Sequence, residues 1–274
     1  MMENTLSGLG PVALIGAGKM GLALARGWIE AGLPASSLVL VDPQPGEATR
    51  RFSEAAGVEL RSEPPARPPA VLILAIKPQM MGDVLPRLRP LVGPHTLVVS
   101  IAAGISMARI AEGLGTQRVI RTMPNTPAQI GQGISGAYAG AGVDAADRHA
   151  AEALLRAAGE VVWVDSEAAI DGITAVSGSG PAYVFHFVEA LAAAARQQGF
   201  DEAQAMRLAR QTVIGAAALM AADATAVDVL RQNVTSPKGT TEAGLAVLMG
   251  PEGLTPLLEK TVTAARRRSE ELGR

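Results

Sequence analysis

Five short apolar runs punctuate the first half of the chain: Val12–Ile15, Leu38–Val41, Val71–Ile76, Thr96–Ile101 and Arg118–Ile120. They are rich in β-branched residues and nearly continuous in hydrophobicity rather than alternating. That pattern suits strands covered on both faces, as in a parallel sheet. Helix-like stretches lie between them at Met20–Ala31, Pro45–Ala56, Gly82–Leu88 and Met107–Glu112. Strand and helix in strict alternation predict a doubly wound α/β domain. Ile134–Ala139 and Glu160–Val164 read as further strands that close it.

After Asp165 the strand signals stop, which divides the chain into an α/β domain over residues 1–165 and an all-helical one over 166–274. Pro181–Gln198 predicts a helix with proline in its first turn and Gly199 as its stop. Asp201 and Gln204 have the spacing of a capping box for the next helix, which runs toward Ala222 and is apolar nearly all round. Shorter helices are expected over Val227–Asn233 and after Thr241, and Thr255-Pro256 opens a last one. So much apolar helical surface is hard to bury within one chain, and an intertwined homodimer, or a higher oligomer built from it, is expected.

Composition narrows the function. Of 274 residues, 48% are hydrophobic and 18% charged, and the formal net charge is -2, so neither disorder nor binding to nucleic acid or to an anionic membrane surface is indicated. The run Arg266-Arg267-Arg268 is followed by Glu270-Glu271 and reads as a solvated helix face. Cysteine is absent and the three histidines lack metal-ligand spacing, so no metal site is expected. Met1–Asn4 does not resemble the start of a signal peptide. The uncharged stretches 90–108 and 172–188 are broken by glycine and proline, so neither reads as a membrane span. A soluble, cytoplasmic protein is expected.

Gly16-Ala17-Gly18-Lys19-Met20-Gly21 follows the first strand and opens the first helix. In that context Gly16 permits a tight turn, Gly18 lets a pyrophosphate approach the backbone, and Gly21 allows close helix–strand packing. The phosphates would face the helix N-terminus. Asp42 ends the second strand where a carboxylate accepts a ribose 2′-OH of NAD(H); Arg50 and Arg51 could pair with the 2′-phosphate of NADP(H), though a solvated helix face is the commoner role for such arginines. Both cofactors stay open. Two further strand ends, Ala75-Ile76-Lys77-Pro78 and Ser100-Ile101-Ala102-Ala103-Gly104, fall at the same carboxyl edge, with small residues that leave room for ribose and nicotinamide.

The stretch Val234-Thr235-Ser236-Pro237-Lys238-Gly239-Thr240-Thr241-Glu242 gathers hydroxyls and glycine just ahead of an apolar-periodic run. Such a segment is either an ordinary helix cap or a site where free helix N–H groups and hydroxyls receive a carboxylate or phosphate.

Together these segments resemble the pyrroline-5-carboxylate reductase family. The matching stretches are Gly16–Gly21, Ala75–Pro78, Met123-Pro124-Asn125-Thr126-Pro127, Ala175–Tyr183 and Val234–Thr241, in the family's order and spread over almost the whole chain. The resemblance implies a Rossmann-like domain, a helical dimerisation domain and an active site completed across the subunit interface. It implies reduction of 1-pyrroline-5-carboxylate to L-proline by NADPH or NADH. By position, Ser236, Gly239, Thr240 and Thr241 would hold the substrate carboxylate and ring nitrogen, and Ala75–Pro78 with Ile101–Gly104 would line the cofactor. Met123–Asn125 would lie near the nicotinamide. The chain departs from the family at Lys238, where glycine is usual, so a positive φ there would come only with strain. It also lacks a His-Pro pair near Ala224–Val227 and is unusually proline-rich over Ser62–Ala70.

Hydride transfer to a protonated C=N bond needs orientation more than a strong acid. Thr241 is the candidate proton donor or orienting hydroxyl at the ring nitrogen. His186, between Phe185 and Phe187 on an apolar helix, reads as a partly buried structural residue. Ser177 and Ser179 are expected behind the site, and Glu167 and Asp171 as surface carboxylates or proton relays. A related reductase acting on a β-hydroxyacid would place a lysine in the helical region, and 168–230 contains none. A nucleotide sensor without catalysis would need the glycine turn but not the 234–242 loop.

Overall fold

The computed structural model describes residues 6–273; the reading of Met1–Asn4 falls outside them. The described chain forms two compact units, one of residues up to Ser179 together with the segment from Ala265, the other Gly180–Ala264.

The first unit is built on one sheet. Its strands are β1 (Val12–Ile15), β2 (Leu38–Val41), β3 (Glu59–Arg61), β4 (Val71–Leu74), β5 (Leu97–Ser100), β6 (Val119–Met123), β7 (Gly133–Ala139) and β8 (Gly159–Trp163). They lie in the order β3-β2-β1-β4-β5-β6-β7-β8. All neighbouring pairs are parallel except β6 with β7. β1, β4 and β5 are buried along their whole length, as continuous apolar runs between two helix layers require. Each connecting helix follows its strand: α1 (Lys19–Glu30), α2 (Glu47–Ala56), α3 (Met81–Leu88), α4 (Met107–Leu114), α5 (Ala145–Arg156) and α6 (Glu167–Ile173). Two apolar clusters cover the two sheet faces. Trp28, Leu14, Leu40 and Leu154 belong to one, and Leu72, Leu74, Met81 and Leu85 to the other. The Trp28 ring also donates from Nε1 to the Leu154 carbonyl at 2.8 Å, fixing α1 against α5.

The second unit is helical: α7 (Gly180–Gln197), α8 (Glu202–Ala222), α9 (Val227–Asn233), α10 (Thr240–Leu248) and most of α11 (Leu254–Leu272). The capping box expected at α8 is formed, with Gln204 N donating to Asp201 Oδ1 at 2.8 Å and Asp201 N to Gln204 Oε1 at 3.4 Å. Asp201→Ala is therefore expected to destabilise the protein by about 1 kcal/mol, read as a lower urea midpoint at unchanged slope. Large apolar side chains remain open on this unit taken as a single chain, among them Phe185 at 64% and Val247 at 75% exposure. Among the described residues, no helix is long and apolar enough to cross a membrane.

Candidate functional site: a nucleotide edge and a hydroxyl loop

In a parallel sheet the carboxyl ends of neighbouring strands share one edge, so β2, β1, β4, β5 and β6 bring Asp42, Gly16–Gly21, Ala75–Pro78, Ala102–Gly104 and Asn125 to the same side. The strand order reverses between β1 and β4, the position where open α/β sheets bind ligands.

Two of the three glycines of the turn are required by sterics within the chain, and the third is not. Gly16 has φ 91°, and a Cβ there would fall 2.6 Å from the Ala75 carbonyl oxygen. A Cβ on Gly21 would lie 2.3 Å from the Gly16 oxygen. At Gly18 a Cβ would meet nothing within 4 Å, so its bareness serves no packing inside the chain and leaves a cradle for another molecule. Gly18 is also the N-cap of α1, with no side chain capping it and no acidic residue in the first turn.

That lack of an acid singles out α1. The first turn of α2 carries Glu47 and that of α3 carries Asp83. The first N–H of α4, from Met107, is taken by Glu167 Oε1 at 2.7 Å. Of these helix starts, α1 alone keeps its positive end uncompensated, as a pyrophosphate requires.

The turn is held from behind by β2 and α2. Gly16 N donates to the Val41 carbonyl at 2.8 Å. The Asp42 carboxylate accepts from Ala17 N at 3.0 Å through Oδ2 and from Gln44 N at 2.9 Å through Oδ1. Thr49 Oγ1, on the buried face of α2, donates to the Ala17 carbonyl at 2.8 Å. Asp42 thus tethers the glycine turn, a role its position in the sequence did not disclose. Each of its oxygens keeps a second lone pair for a ribose hydroxyl. Asp42→Ala is consequently expected to weaken both NADH and NADPH through the loosened turn, and NADH the more. Equal losses for the two in a titration would remove the ribose contact and leave only the tether.

At the other strand ends, Lys77 is exposed and precedes the short helical turn Pro78–Met80. Ala102 and Gly104 are buried, and Gly104 has φ 70°. Asn125 is buried with both ends of its amide engaged: Oδ1 accepts from Ile134 N at 3.0 Å and Nδ2 donates to Ser177 Oγ at 3.2 Å. It ties β6 to the start of β7 and to the turn Thr174–Gly178.

The loop over 234–242 belongs to the second unit. Ser236, Thr240 and Thr241 are exposed there and Gly239 is half-buried. Gly239, not a hydroxyl residue, is the N-cap of α10, and no side chain caps it; Thr240 and Thr241 are the first two helical residues. The reading of these hydroxyls as an ordinary cap is therefore corrected. Lys238 does take up the strained conformation that a glycine would adopt freely. Among the described residues it is the one non-glycine with positive φ, at 59°, and its N–H is held by Glu242 Oε2 at 2.6 Å.

Two more expectations change. His186 is exposed on the single chain, its Nδ1 3.1 Å from Glu189 Oε2, rather than partly buried. Glu167 and Asp171 are not free surface carboxylates: both face the buried guanidinium of Arg121, at 2.9 Å and 3.7 Å.

Known proteins are similar to this chain over nearly its whole length. Residues 167–272 match a family model described as pyrroline-5-carboxylate reductase dimerisation, and residues 11–104 one described as NADP oxidoreductase coenzyme F420-dependent. The chain is 42% identical to a pyrroline-5-carboxylate reductase of Pseudomonas aeruginosa, across 95% of this chain and 96% of that one. The chain belongs to the pyrroline-5-carboxylate reductase family. Among solved structures, a pyrroline-5-carboxylate reductase from Coxiella burnetii superimposes with a TM-score of 0.90 at 36% identity, covering 97% of this chain and 99% of that one. A pyrroline carboxylate reductase from Plasmodium falciparum with NADP bound gives 0.82 at 27% identity, over 98% and 100%. The family's dimerisation region begins at 167, whereas the compact helical unit begins at Gly180, because α6 and the turn after it pack on the sheet. Ile173 of α6 lies where a Cβ on Gly136 of β7 would come within 2.7 Å.

Proposed function

We infer that this chain reduces 1-pyrroline-5-carboxylate to L-proline with NADPH or NADH, the last step of proline biosynthesis. The observation that carries the reading is the bare cradle at Gly18, at a helix start with no acidic residue and no side-chain cap, joined in one chain to a glycine- and hydroxyl-rich helix start at 239–241. The first suits a dinucleotide and the second a small carboxylate.

When bound, the reduced nicotinamide supplies the hydride that the imine carbon accepts. The chain's part is binding and orientation. Gly16, Ala17, Gly18, Lys19, Met20 and Gly21 would hold the pyrophosphate and Asp42 the adenosine ribose. Ala75–Pro78, Ala102–Gly104 and Asn125 would border the nicotinamide half. Backbone N–H groups of Gly239, Thr240 and Thr241, with the Ser236 hydroxyl, would hold the substrate carboxylate. The Thr241 hydroxyl would face the ring nitrogen, whose protonated form makes the C=N carbon electrophilic. Addition of hydride there converts the iminium to the secondary amine without a strong acid from the protein.

The same reading makes residues 166–274 the dimerisation and substrate-binding domain. The open apolar side chains of α7 and α10 support pairing with a second copy, and sedimentation at micromolar concentration is expected to give a dimer or a multiple of it. A monomer would remove that part. A cytoplasmic location is proposed with it, where reduced nicotinamide is regenerated.

The deciding assay is oxidation of NADPH and of NADH with pyrroline-5-carboxylate, with a five-carbon hydroxyacid as the control. Turnover of the imine and not of the hydroxyacid is expected. The reverse pattern would overturn the assignment.

A further inference from the structure

A buried arginine that the proposed chemistry does not use lies two residues before Met123. Arg121 is 4% exposed on β6. Its Nη1 donates to Glu167 Oε1 at 2.9 Å and its Nη2 is 3.7 Å from Asp171 Oδ1, while its buried Nε has no partner among the described residues. Burying a guanidinium with an unpaired N–H is weak provision for stability, because desolvation offsets much of what the ion pairs return. What the pairs do provide is position. The oxygen of Glu167 that meets Arg121 also accepts from Met107 N at 2.7 Å, so it pins the first residue of α4. The oxygen of Asp171 that faces Arg121 also accepts from Ser269 Oγ at 2.7 Å, so it pins the last turns of α11. Ser269 is itself buried, unusual for a serine near a helix end.

Both pinned elements converge on one short loop. Residues 101–106 leave β5 and enter α4, so the Met107 tether fixes one end of that loop. At Gly104, in its middle, an added Cβ would lie 3.0 Å from Leu272 Cβ, so the end of α11 is packed directly on the loop backbone. Gly104 therefore has two reasons to lack a side chain: its φ of 70° and the seat of Leu272.

We propose that Glu167, Arg121, Asp171 and Ser269 are positioning residues for the cofactor-side loop 101–106, acting as a strut that sets the loop's height above the sheet edge. This rests on the reading of that loop as the nicotinamide-side border. None of the four touches the reacting atoms. Their effect on the reaction is through where Ala102, Ala103 and Gly104 stand.

The test uses the full-length protein in its native oligomeric state, with NADPH affinity from direct titration and local protection from amide hydrogen exchange. Glu167→Ala is expected to weaken NADPH binding by about 10-fold or more, as for a lost hydrogen bond to a charged group. Glu167→Gln, which keeps an acceptor oxygen, is expected to stay within about threefold of the unsubstituted protein. Ser269→Ala removes only the rear link and leaves the Arg121 pairs in place, so it folds even if Glu167→Ala does not. It is expected to raise exchange over 102–108 while exchange over 12–22, under the glycine turn, stays unchanged. Unaltered NADPH affinity in folded Glu167→Ala would overturn the proposal. So would exchange in Ser269→Ala that is unchanged over 102–108, or that rises evenly across the whole sheet. These readouts need no turnover, so a protein that binds NADPH but fails to reduce the imine would sink the functional reading and leave the strut testable.

Discussion

Thr241→Ala is expected to lower kcat/KM for pyrroline-5-carboxylate by about 10- to 1000-fold, the range for loss of a positioned proton donor. The structure makes this substitution informative because the hydroxyl has no capping duty to lose. Gly239 is the N-cap of α10, and Thr241 stands one residue inside the helix with its side chain exposed. Alanine has the higher helix propensity, so thermal stability should hold or rise by up to about 0.7 kcal/mol. Thr241→Ser, which keeps the hydroxyl, should retain most of the turnover, and NADPH affinity should be the same in all three proteins. Steady-state kinetics beside a melting curve would check it. Undiminished kcat/KM in the alanine variant would take Thr241 out of the mechanism.

Gly18→Leu is expected to abolish measurable NADPH and NADH binding, a loss of about 100-fold or more if two charge-assisted hydrogen bonds to the pyrophosphate go. The fold should survive it. Gly18 has φ -69°, accessible to any residue, and space where its Cβ would point. Gly16→Ala is the contrasting case. There the Cβ would collide with the Ala75 carbonyl at 2.6 Å and φ is 91°, so stability and binding should fall together. A Gly18→Leu protein with normal melting and normal nucleotide affinity would contradict the placement of the pyrophosphate.

Much of the fold can be read from hydrophobic pattern because a parallel sheet buries its strands on both faces. Val12–Ile15 and Val71–Leu74 announce themselves as unbroken apolar runs. Glu59–Arg61 does not: it is a three-residue edge strand with charged residues at both ends, paired among the described residues with β2 alone, and no pattern marks it. Helix α5 is marked mainly by its capping box, which pairs Asp144 with Asp147. Aspartate at the third position departs from the Glu or Gln of the usual box, as at Gln204, so the local pattern there is weaker.

The site divides along the same line. Glycine spacing after a strand is local, so Gly16–Gly21 was legible. The partners of Asp42 were not, since nothing local ties a strand-end carboxylate to Ala17, 25 residues away. The Arg121–Glu167 pair spans 46 residues and the Glu167–Met107 bond 60, and such pairings become visible only once the sheet order is known. His186 was misread because its apolar neighbours suggested a core, whereas they line a face that the single chain leaves open.

The left-handed backbone at Lys238 bears on how this enzyme would respond to laboratory evolution. A side chain in that conformation costs about 1 kcal/mol relative to glycine, and here the cost falls on an exposed loop residue that packs no core. Libraries selected only for survival of heating should drift toward glycine at 238. Libraries selected for turnover are held to whatever the Glu242 anchor and the lysine charge contribute, and divergence of the two lineages at this codon would show that the loop's tension is functional.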